Sequence, residues 1–217
     1  MNSSKKVAML TVEMLDLWQA GSGRGEGQHL DSVPITDSDG LPFLPGRTVK
    51  GLLRDAVFHL ERIDALGSWT DATSFGPTVA LFGSRDGGED ESGSLVQTRY
   101  HSISGSVWVS DARLAPAIRQ QIAPNAVLRS ALFHESFATA VDEMSGQVKE
   151  KTLRSKRVCV PMVLTASIET SHPNGLEIID AALPLIDALG SQRTRGLGRC
   201  IWSLKSLENS QSARSFA

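Results

Sequence analysis

Alternating apolar and polar residues predict three strands along the chain. The first lies in residues 7–17, and its apolar residues share one face. They are Ala8, Leu10, Val12 and Met14. A run of the same period covers residues 158–168, which we expect to line the core as one strand, and a last run carries Cys200, Trp202 and Leu204. Alternation of this kind is typical of a strand that buries one face.

Apolar residues spaced three and four apart predict two helices. The first begins near Gly46, directly after a proline, and its apolar stripe extends over residues 49–63. The second covers residues 176–189, with Gly190 as its natural C-cap. Pro184 falls inside that range, so this helix either kinks there or begins later.

Three further segments complete the pattern. Residues 107–109 are apolar and indicate a short strand, the second along the chain. Residues 67–95 have no sustained period and carry clustered acidic residues, which favours an exposed and partly disordered insertion. Residues 126–141 have an extended pattern, and the strongly charged residues 142–157 that follow predict a hairpin protruding into solvent.

The order strand, helix, strand, strand, helix, strand is that of a split βαβ, or ferredoxin-like, unit. We therefore predict an α+β fold in one domain, residues 1–207, followed by a disordered tail at 208–217. Two decorations would interrupt this domain, an exposed insertion at 67–105 and a protruding hairpin at 137–158.

The net charge excludes one class of protein. The chain has 217 residues and a net charge of -2, from 22 Lys and Arg against 24 Asp and Glu. This charge excludes a uniformly basic nucleic-acid-binding protein but is compatible with a local basic strip.

Cys159 and Cys200 are too few for a disulfide framework or a four-ligand zinc site, and their apolar surroundings predict buried thiols. With no apolar window near the roughly 20 residues that span a bilayer, we expect a cytoplasmic protein without a membrane partner.

Two segments combine glycine with basic residues. The Gly190–Arg199 loop has three arginines and no acidic residue, which suits a phosphate backbone, although a flexible connector with solvated arginines is the alternative. Its arginines are Arg193, Arg195 and Arg199. The other segment is the start of the first helix, where Arg47 and Lys50 flank a helix N-terminus able to bind anions, and Arg54 lies on the same side as Lys50.

Signals for catalysis or cofactor binding are sparse. The glycines at 21–27 are not followed by a helix start, so a dinucleotide-binding loop is rejected. The five histidines have no metal-ligand spacing, and the metal ligands stay unknown. His29 lies two residues from Asp31, which makes it a candidate general acid.

Five motifs in this order resemble those of the CRISPR-associated RAMP superfamily. Residues 44–54 (LPGRTVKGLLR) resemble its glycine-rich helix start, residues 81–83 its LFG motif, and residues 107–114 (VWVSDARL) its VSDA strand. Residues 139–146, followed by 154–160, resemble its hairpin, and residues 188–199 resemble its terminal arginine- and glycine-rich loop.

Within the superfamily the chain is most similar to the small backbone subunit of type III (Csm/Cmr) interference complexes. The resemblance implies a modified ferredoxin-like, or RRM-like, RAMP fold with a β-hairpin thumb. It also implies a filament in which copies of the chain and other RAMP subunits follow a CRISPR guide RNA, with the thumb inserted into the guide–target RNA duplex. The residues that would contact RNA are Arg47, Lys50, Arg54, Lys149, Lys151, Arg154, Arg193, Arg195 and Arg199.

The resemblance also implies catalysis. The family's catalytic residue is an Asp after the first strand, and residues 30–37 match its pattern with Asp31 at that position. Asp31 would act as a general base, or help to position a divalent metal such as magnesium, for cleavage of target RNA by transesterification. Two departures stand out: Arg47 and Thr48 replace the usual paired serines, and the family's Pro-Val order is inverted at residues 33–34.

Two alternatives stay open. The chain would be a scaffold RAMP subunit that binds guide RNA without cleaving, or a stand-alone guide-processing endoribonuclease that uses histidine chemistry. The latter would need a double ferredoxin layout and a histidine close to the glycine-rich loop, and neither is evident in 217 residues.

Overall fold

A computed structural model describes residues 5–21, 32–67, 76–84, 103–139, 147 and 154–207. Within these ranges the strands are β1 (Lys6–Met14), β2 (Gly83–Ser84), β3 (Ile103–Ser104), β4 (Val107–Val109), β5 (Phe133–Ala138), β6 (Arg154–Cys159), β7 (Val163–Thr170) and β8 (Cys200–Ser206). The α-helices are α1 (Gly46–Arg62), α2 (Pro77–Phe82), α3 (Pro116–Ile122), α4 (Ala126–Ser130) and α5 (Gly175–Ala182).

The centre of the fold is a four-stranded antiparallel sheet. Its strand order is β4-β7-β1-β8. If the four strands are numbered by their order along the chain, they lie side by side as second, third, first and fourth. Helices α1 and α5 pack against each other and against this sheet. The predicted ferredoxin-like α+β fold is therefore confirmed.

The register of the sheet explains the alternation seen in the sequence. Leu10 of β1 lies opposite Ala166 of β7 and Leu204 of β8. Since side chains alternate between the faces of a strand, one face carries the apolar residues of all three strands. The core residues of β1 predicted from the sequence are buried, at 0 to 2% exposure for Ala8, Leu10, Val12 and Met14.

Helix α1 buries the predicted apolar stripe. Val49, Leu53 and Val57 are fully buried, whereas Leu52 packs at the border of the core. The helix ends at Arg62, one residue before Ile63, which is 71% exposed. The stripe predicted over residues 49–63 is thus confirmed except at its last member.

The run at 158–168, predicted as one strand, is two strands. β6 ends at Cys159 and β7 begins at Val163, with Pro161 between them. Before this break the chain pairs with β5, and after it the chain joins the central sheet. A proline cannot donate to a ladder, so the change of sheet falls at a position where no such hydrogen bond is lost.

The second helix is shorter than predicted. α5 covers Gly175–Ala182, and a 3-10 turn at Leu183–Leu185 contains Pro184. The proline therefore ends the helix, because its ring fits only the first turn of a helical segment. Gly190 is not a helix cap, since it lies beyond this turn and opens the glycine-rich loop.

The predicted extended stretch at 126–141 is helical at its start. Residues 126–130 form α4, because the Asn125 side chain accepts hydrogen bonds from the amides of Val127 and Leu128, as an N-cap does. β5 then pairs with β6 from Phe133 opposite Cys159 onwards, forming the two arms of a hairpin. The tip of the predicted hairpin, apart from residue 147, lies outside the described residues.

Part of the predicted exposed insertion belongs to the core. Residues 77–82 form α2, whose Leu81 is fully buried and whose Phe82 is 8% exposed. For this segment the prediction of exposure is wrong, because a helix of six residues is too short to show a period. The acidic cluster at 86–91 and the tail at 208–217 lie outside the described residues.

Both cysteines are buried and free, as predicted. Burial raises the pKa of Cys159 to about 12 and also raises the pKa of Cys200. In the portion of the chain that the structure describes, no helix is long and apolar enough to cross a membrane.

Candidate nucleic-acid interface

The glycine-rich loop presents arginines on a tight turn. Arg193–Arg195 form one turn of 3-10 helix, flanked by left-handed residues at Gln192 and Gly196. Gly190 has a φ of +83°, and a Cβ there would lie 2.3 Å from the Gln19 carbonyl oxygen. Only glycine fits this approach. The loop is therefore fixed at its start, while the arginine side chains are exposed.

Gln19 joins this loop to the segment that follows the first strand. Its side chain is buried, at 1% exposure. Gln19 Nε2 donates to Ser32 Oγ over 2.8 Å, and Gln19 Oε1 accepts a hydrogen bond from Ser191 Oγ over 2.9 Å. The Ser191 amide also donates to the Gln19 carbonyl, over 3.0 Å. Sequence reasoning missed Gln19, although a polar residue between Trp18 and Ala20 was the available signal.

The base of the hairpin meets the same segment. Ser32 forms a parallel bridge with Lys156 of β6, and the Arg157 amide donates to the Ser32 carbonyl over 3.0 Å. Lys156 Nζ donates to Gln192 Oε1 in the glycine-rich loop. Three segments therefore converge: residue 32, the β6 arm and the loop.

Lys156 lies in an environment that disfavours its charge. Burial lowers the pKa of Lys156, and the neighbouring Arg195 lowers it further. Among the described residues, no carboxylate forms an ion pair with either side chain. The junction is thus a place where two like charges lie close together.

The N-terminus of α1 differs from the prediction. The Gly46 amide donates to Asp111 Oδ1 over 2.9 Å, so this amide is not available to an external anion. Lys50 Nζ donates to the Val107 carbonyl over 2.7 Å, and burial lowers the pKa of Lys50. The sequence pattern gave no indication of either contact, because both partners are more than 50 residues away.

A groove nevertheless unites the three basic residues predicted on α1. It is an open cavity of about 440 Å³ between α1 and the β2–β3 pair. Arg47, Lys50 and Arg54 line one side, and the backbone around Gly83 and Gly105 lines the other. Arg47 and Arg54 are exposed. The groove therefore has the charge and the access that a phosphate chain needs.

Arg199 stands apart from the other arginines of the loop. Its Nε donates to Asp16 Oδ2 over 2.5 Å, and its Nη2 lies 3.4 Å from Asp16 Oδ1. The hydrogen bond from Arg199 lowers the pKa of Asp16. Because its charge is already balanced, Arg199 is the least available of the three to an external phosphate.

The remaining predicted site residues are spread between described and undescribed segments. Arg154 is exposed and is the first residue of β6, where it lies opposite Ala138 of β5. The contact between β6 and the glycine-rich loop is made by Lys156 instead. The other four predicted residues lie outside the described residues. They are His29, Asp31, Lys149 and Lys151. Within the described ranges, no group of three or more His, Cys, Asp or Glu side chains is placed to hold a metal ion.

Comparisons with known proteins agree on the fold. A family model described as the RAMP superfamily matches residues 16–201. A search of curated proteins finds no match. Among solved structures, a chain of the cryo-EM structure of the type III-B Cmr-beta bound to cognate target RNA is similar, with a TM-score of 0.62 and 10% sequence identity. The alignment covers 91% of this chain and 96% of that one, and at this identity the likeness shows a shared fold.

Proposed function

The chain belongs to the RAMP superfamily, and from this premise we propose that it is a guide-RNA-binding backbone subunit of a type III CRISPR interference complex. The observation that carries the proposal is the junction of Ser32, Lys156 and the Arg193–Arg195 turn. It places basic groups, which have no carboxylate partner among the described residues, beside the segment in which the family has its catalytic aspartate. The likeness to a chain from a complex bound to target RNA supports the same function.

Affinity for RNA would come from local charge. Arg193 and Arg195 on the turn, together with Arg47 and Arg54 in the α1 groove, present guanidinium groups that suit phosphate oxygens. Lys50 lines the same groove and would add its charge there. Binding through such contacts releases counterions, so the affinity would fall steeply with salt.

The protruding hairpin would act on the duplex. Its arms are β5 and β6, and Lys149, Lys151 and Arg154 would contact RNA where the hairpin enters between base pairs. Copies of the chain and other RAMP subunits would stack along one guide RNA, with target RNA paired to it. The assembly would work in the cytoplasm without a membrane partner.

Asp31 would start the cleavage of target RNA. Its carboxylate would take the proton of a ribose 2′-hydroxyl, and that oxygen would attack the adjacent phosphorus. The bond from phosphorus to the 5′-oxygen then breaks, which leaves a 2′,3′-cyclic phosphate and, after protonation, a free 5′-hydroxyl. His29 is the candidate donor of that proton. Magnesium enters from the resemblance alone, and the chemistry it would supply is charge stabilisation on the phosphoryl oxygens.

A scaffold role is the second candidate. The family's Pro-Val order is inverted at Val33 and Pro34, close behind Asp31. Proline fixes its own φ and restricts the residue before it, so the inversion re-aims the backbone at this point. A re-aimed carboxylate would leave a subunit that binds guide RNA and its neighbours without cleaving.

Cleavage by the assembled complex separates these two functions. The complex is reconstituted with wild type or Asp31→Ala and incubated with complementary RNA and magnesium. We expect cleavage by wild type and a loss of about 100-fold or more with Asp31→Ala, since a positioned general base contributes about that much. Cleavage that survives the substitution contradicts the role of Asp31, and no cleavage by wild type supports the scaffold.

A further inference from the structure

We propose that two copies of the chain pair through the open edge of β8, in a two-fold antiparallel contact that joins their central sheets into one. β8 is the last strand in the order β4-β7-β1-β8, so β1 occupies one of its edges and no strand of this sheet occupies the other. A strand edge of this kind presents a row of backbone groups that another strand can bind. The inference goes beyond the proposed function, because it concerns the chain without RNA.

The backbone hydrogen bonds show which residues of β8 face the open edge. The Leu207 amide donates to the Val7 carbonyl over 3.0 Å, and the Leu15 amide donates to the Arg199 carbonyl over 2.9 Å. Because bonded pairs alternate along an antiparallel ladder, the odd-numbered residues of β8 are the ones that bond to β1. The amides and carbonyls of the even-numbered residues therefore point the other way. These residues are Cys200, Trp202, Leu204 and Ser206.

One of these four residues already has a partner on that side. The Cys200 amide donates to the Asp187 carbonyl over 2.9 Å, which agrees with the direction derived for the even-numbered residues. For Trp202, Leu204 and Ser206, no backbone partner on that side lies within the described ranges. The open edge thus offers a donor and an acceptor at each of three alternate residues.

One register of two antiparallel β8 strands satisfies all of these groups. It places Leu204 opposite Leu204 of the second copy, and Trp202 of each copy opposite Ser206 of the other. Each of these pairs exchanges two hydrogen bonds, which gives about six across the contact. The backbone of β8 is therefore complementary to itself.

The side chains on the solvent face of the sheet match in the same register. Ile201 lies opposite Leu207 of the other copy, and these two side chains are 55% and 48% exposed in the single chain. Ser203 lies opposite Lys205 of the other copy, so no like charges meet. Apolar cross-strand pairs stabilise a sheet, whereas like charges directly opposite each other destabilise it.

The neighbouring registers are less favourable. A shift in one direction places Lys205 of one copy opposite Lys205 of the other. A shift in the other direction places Ser206 opposite Cys200, whose amide is already bonded to Asp187. One register is thus favoured by both the backbone and the side chains, and this self-complementarity selects a second copy as the occupant of the edge. The contact is closed by its two-fold axis, so the assembly stops at a dimer.

The contact leaves the glycine-rich loop accessible. Arg199 directly precedes β8, whereas the two-fold axis passes beside Leu204. At the rise of a β-strand, Arg199 lies about 17 Å from the axis, so the two loops of a dimer are about 33 Å apart. Pairing through β8 therefore does not cover the arginine turn of either copy.

The first test is sedimentation equilibrium of the full chain, freed of RNA, over about 1 µM to 1 mM, the range in which weak complexes form. We expect a monomer–dimer equilibrium in this range, because a contact made by one strand buries less than the roughly 1,200 Å² of a standard interface. A chain that stays monomeric overturns the inference, whether another segment or nothing covers the edge. Growth beyond two chains also overturns it, since a two-fold contact is closed.

Ser206 offers a matched pair of variants for the second test. Ser206→Pro removes an amide that faces the open edge and leaves the bonds to β1 intact, as a proline on an edge strand can. We expect its dimer Kd to rise about tenfold or more, since the two-fold contact loses two hydrogen bonds. Ser206→Ala keeps the amide and should dimerise like wild type, and circular dichroism checks that both variants are folded. Equal Kd values for the two variants would show that the edge of β8 is not the contact.

Ser203 tests the register. Ser203→Glu places a carboxylate opposite Lys205 of the other copy and should lower the dimer Kd about threefold, whereas Ser203→Lys places like charges there and should raise it about threefold. The difference between the two variants should shrink as salt is added. If both variants dimerise equally well, the proposed pairing is wrong. None of these outcomes depends on RNA binding, so failure here leaves the proposed function to its own experiment.

Discussion

Gln19 sets the geometry of the interface with one side chain. A carboxamide carries a donor and an acceptor at the same end, so it can serve Ser32 on one side and Ser191 on the other. A carboxylate at this position would offer no donor to Ser32, and an apolar side chain would offer neither. The segment after Asp31 and the arginine turn are therefore placed relative to each other by a buried amide.

Replacement of this amide should destabilise the fold. Gln19→Leu keeps the volume but leaves the hydroxyls of Ser32 and Ser191 without their partner, which costs about 2 kcal/mol of unfolding free energy. Urea denaturation followed by circular dichroism measures this loss. Ser32→Ala removes only one of the two bonds and should cost about half as much. Equal stability of Gln19→Leu and wild type would show that the amide does not hold the two segments.

Single residues were predictable to an unequal degree. The arginines of the loop were found because charge and glycine cluster within ten positions of the chain. The contacts of Lys156 with Gln192 and of Gln19 with Ser191 were missed because these partners are 36 and 172 residues apart, and no local pattern shows which residues will meet. The pairing of Arg199 with Asp16 was hidden for the same reason.

At the scale of elements, Asp37 links the turn before α1 to helix α3 and to the segment that leads into it. Its side chain is 3% exposed and accepts hydrogen bonds from Arg113 over 3.1 Å and from Arg119 over 2.5 Å. The amides of Asp39 and Leu41 donate to the same carboxylate. Burial alone would raise the pKa of Asp37, but these hydrogen bonds outweigh it and hold the pKa below its ordinary value.

This linkage should make stability depend on pH. Because the pKa of Asp37 is lower in the folded state, its stabilisation is complete above the unfolded pKa and is lost as the pH falls through the folded pKa. Asp37→Asn should cost about 2 kcal/mol at pH 7, since it weakens the charged hydrogen bonds to Arg113 and Arg119, which keep Asp111 and Asp39 as partners. The difference from wild type should shrink below about pH 4. Urea denaturation between pH 3 and 7 measures the cost at pH 7 and its decrease at low pH, which should become visible over about one pH unit. A difference that stays constant across this range would contradict the assignment.

Elements with a long, regular period were predictable, and their ends were not. β1 and α1 have enough residues for the period to show, whereas α2 has six and α4 has five. The break between β6 and β7 was missed because apolar alternation continues across Pro161 even though the strand changes partner. The choice of partner is a property of the sheet and does not appear in the period.

For the whole molecule, the net charge of -2 conceals an uneven distribution. Arg193 and Arg195 extend into solvent on one turn, and Lys156 approaches them from the hairpin. Some other basic side chains are neutralised within the fold, as Arg119 is by Asp37. A chain can therefore be slightly acidic and still present a basic surface at one place, which is what binding to an RNA backbone requires.

The measurement that tests this account most directly is the affinity of the full chain for guide RNA as a function of salt, for wild type, Arg195→Glu and Arg62→Glu. Arg62 is an exposed arginine at the far end of α1, so the control reverses the same charge away from the interface. We predict that wild-type affinity falls steeply with salt, that Arg195→Glu binds about tenfold or more weakly at low salt, and that Arg62→Glu binds nearly as well as wild type. Equal affinities for the two variants, or an affinity that does not change with salt, would contradict the claim that this surface binds RNA.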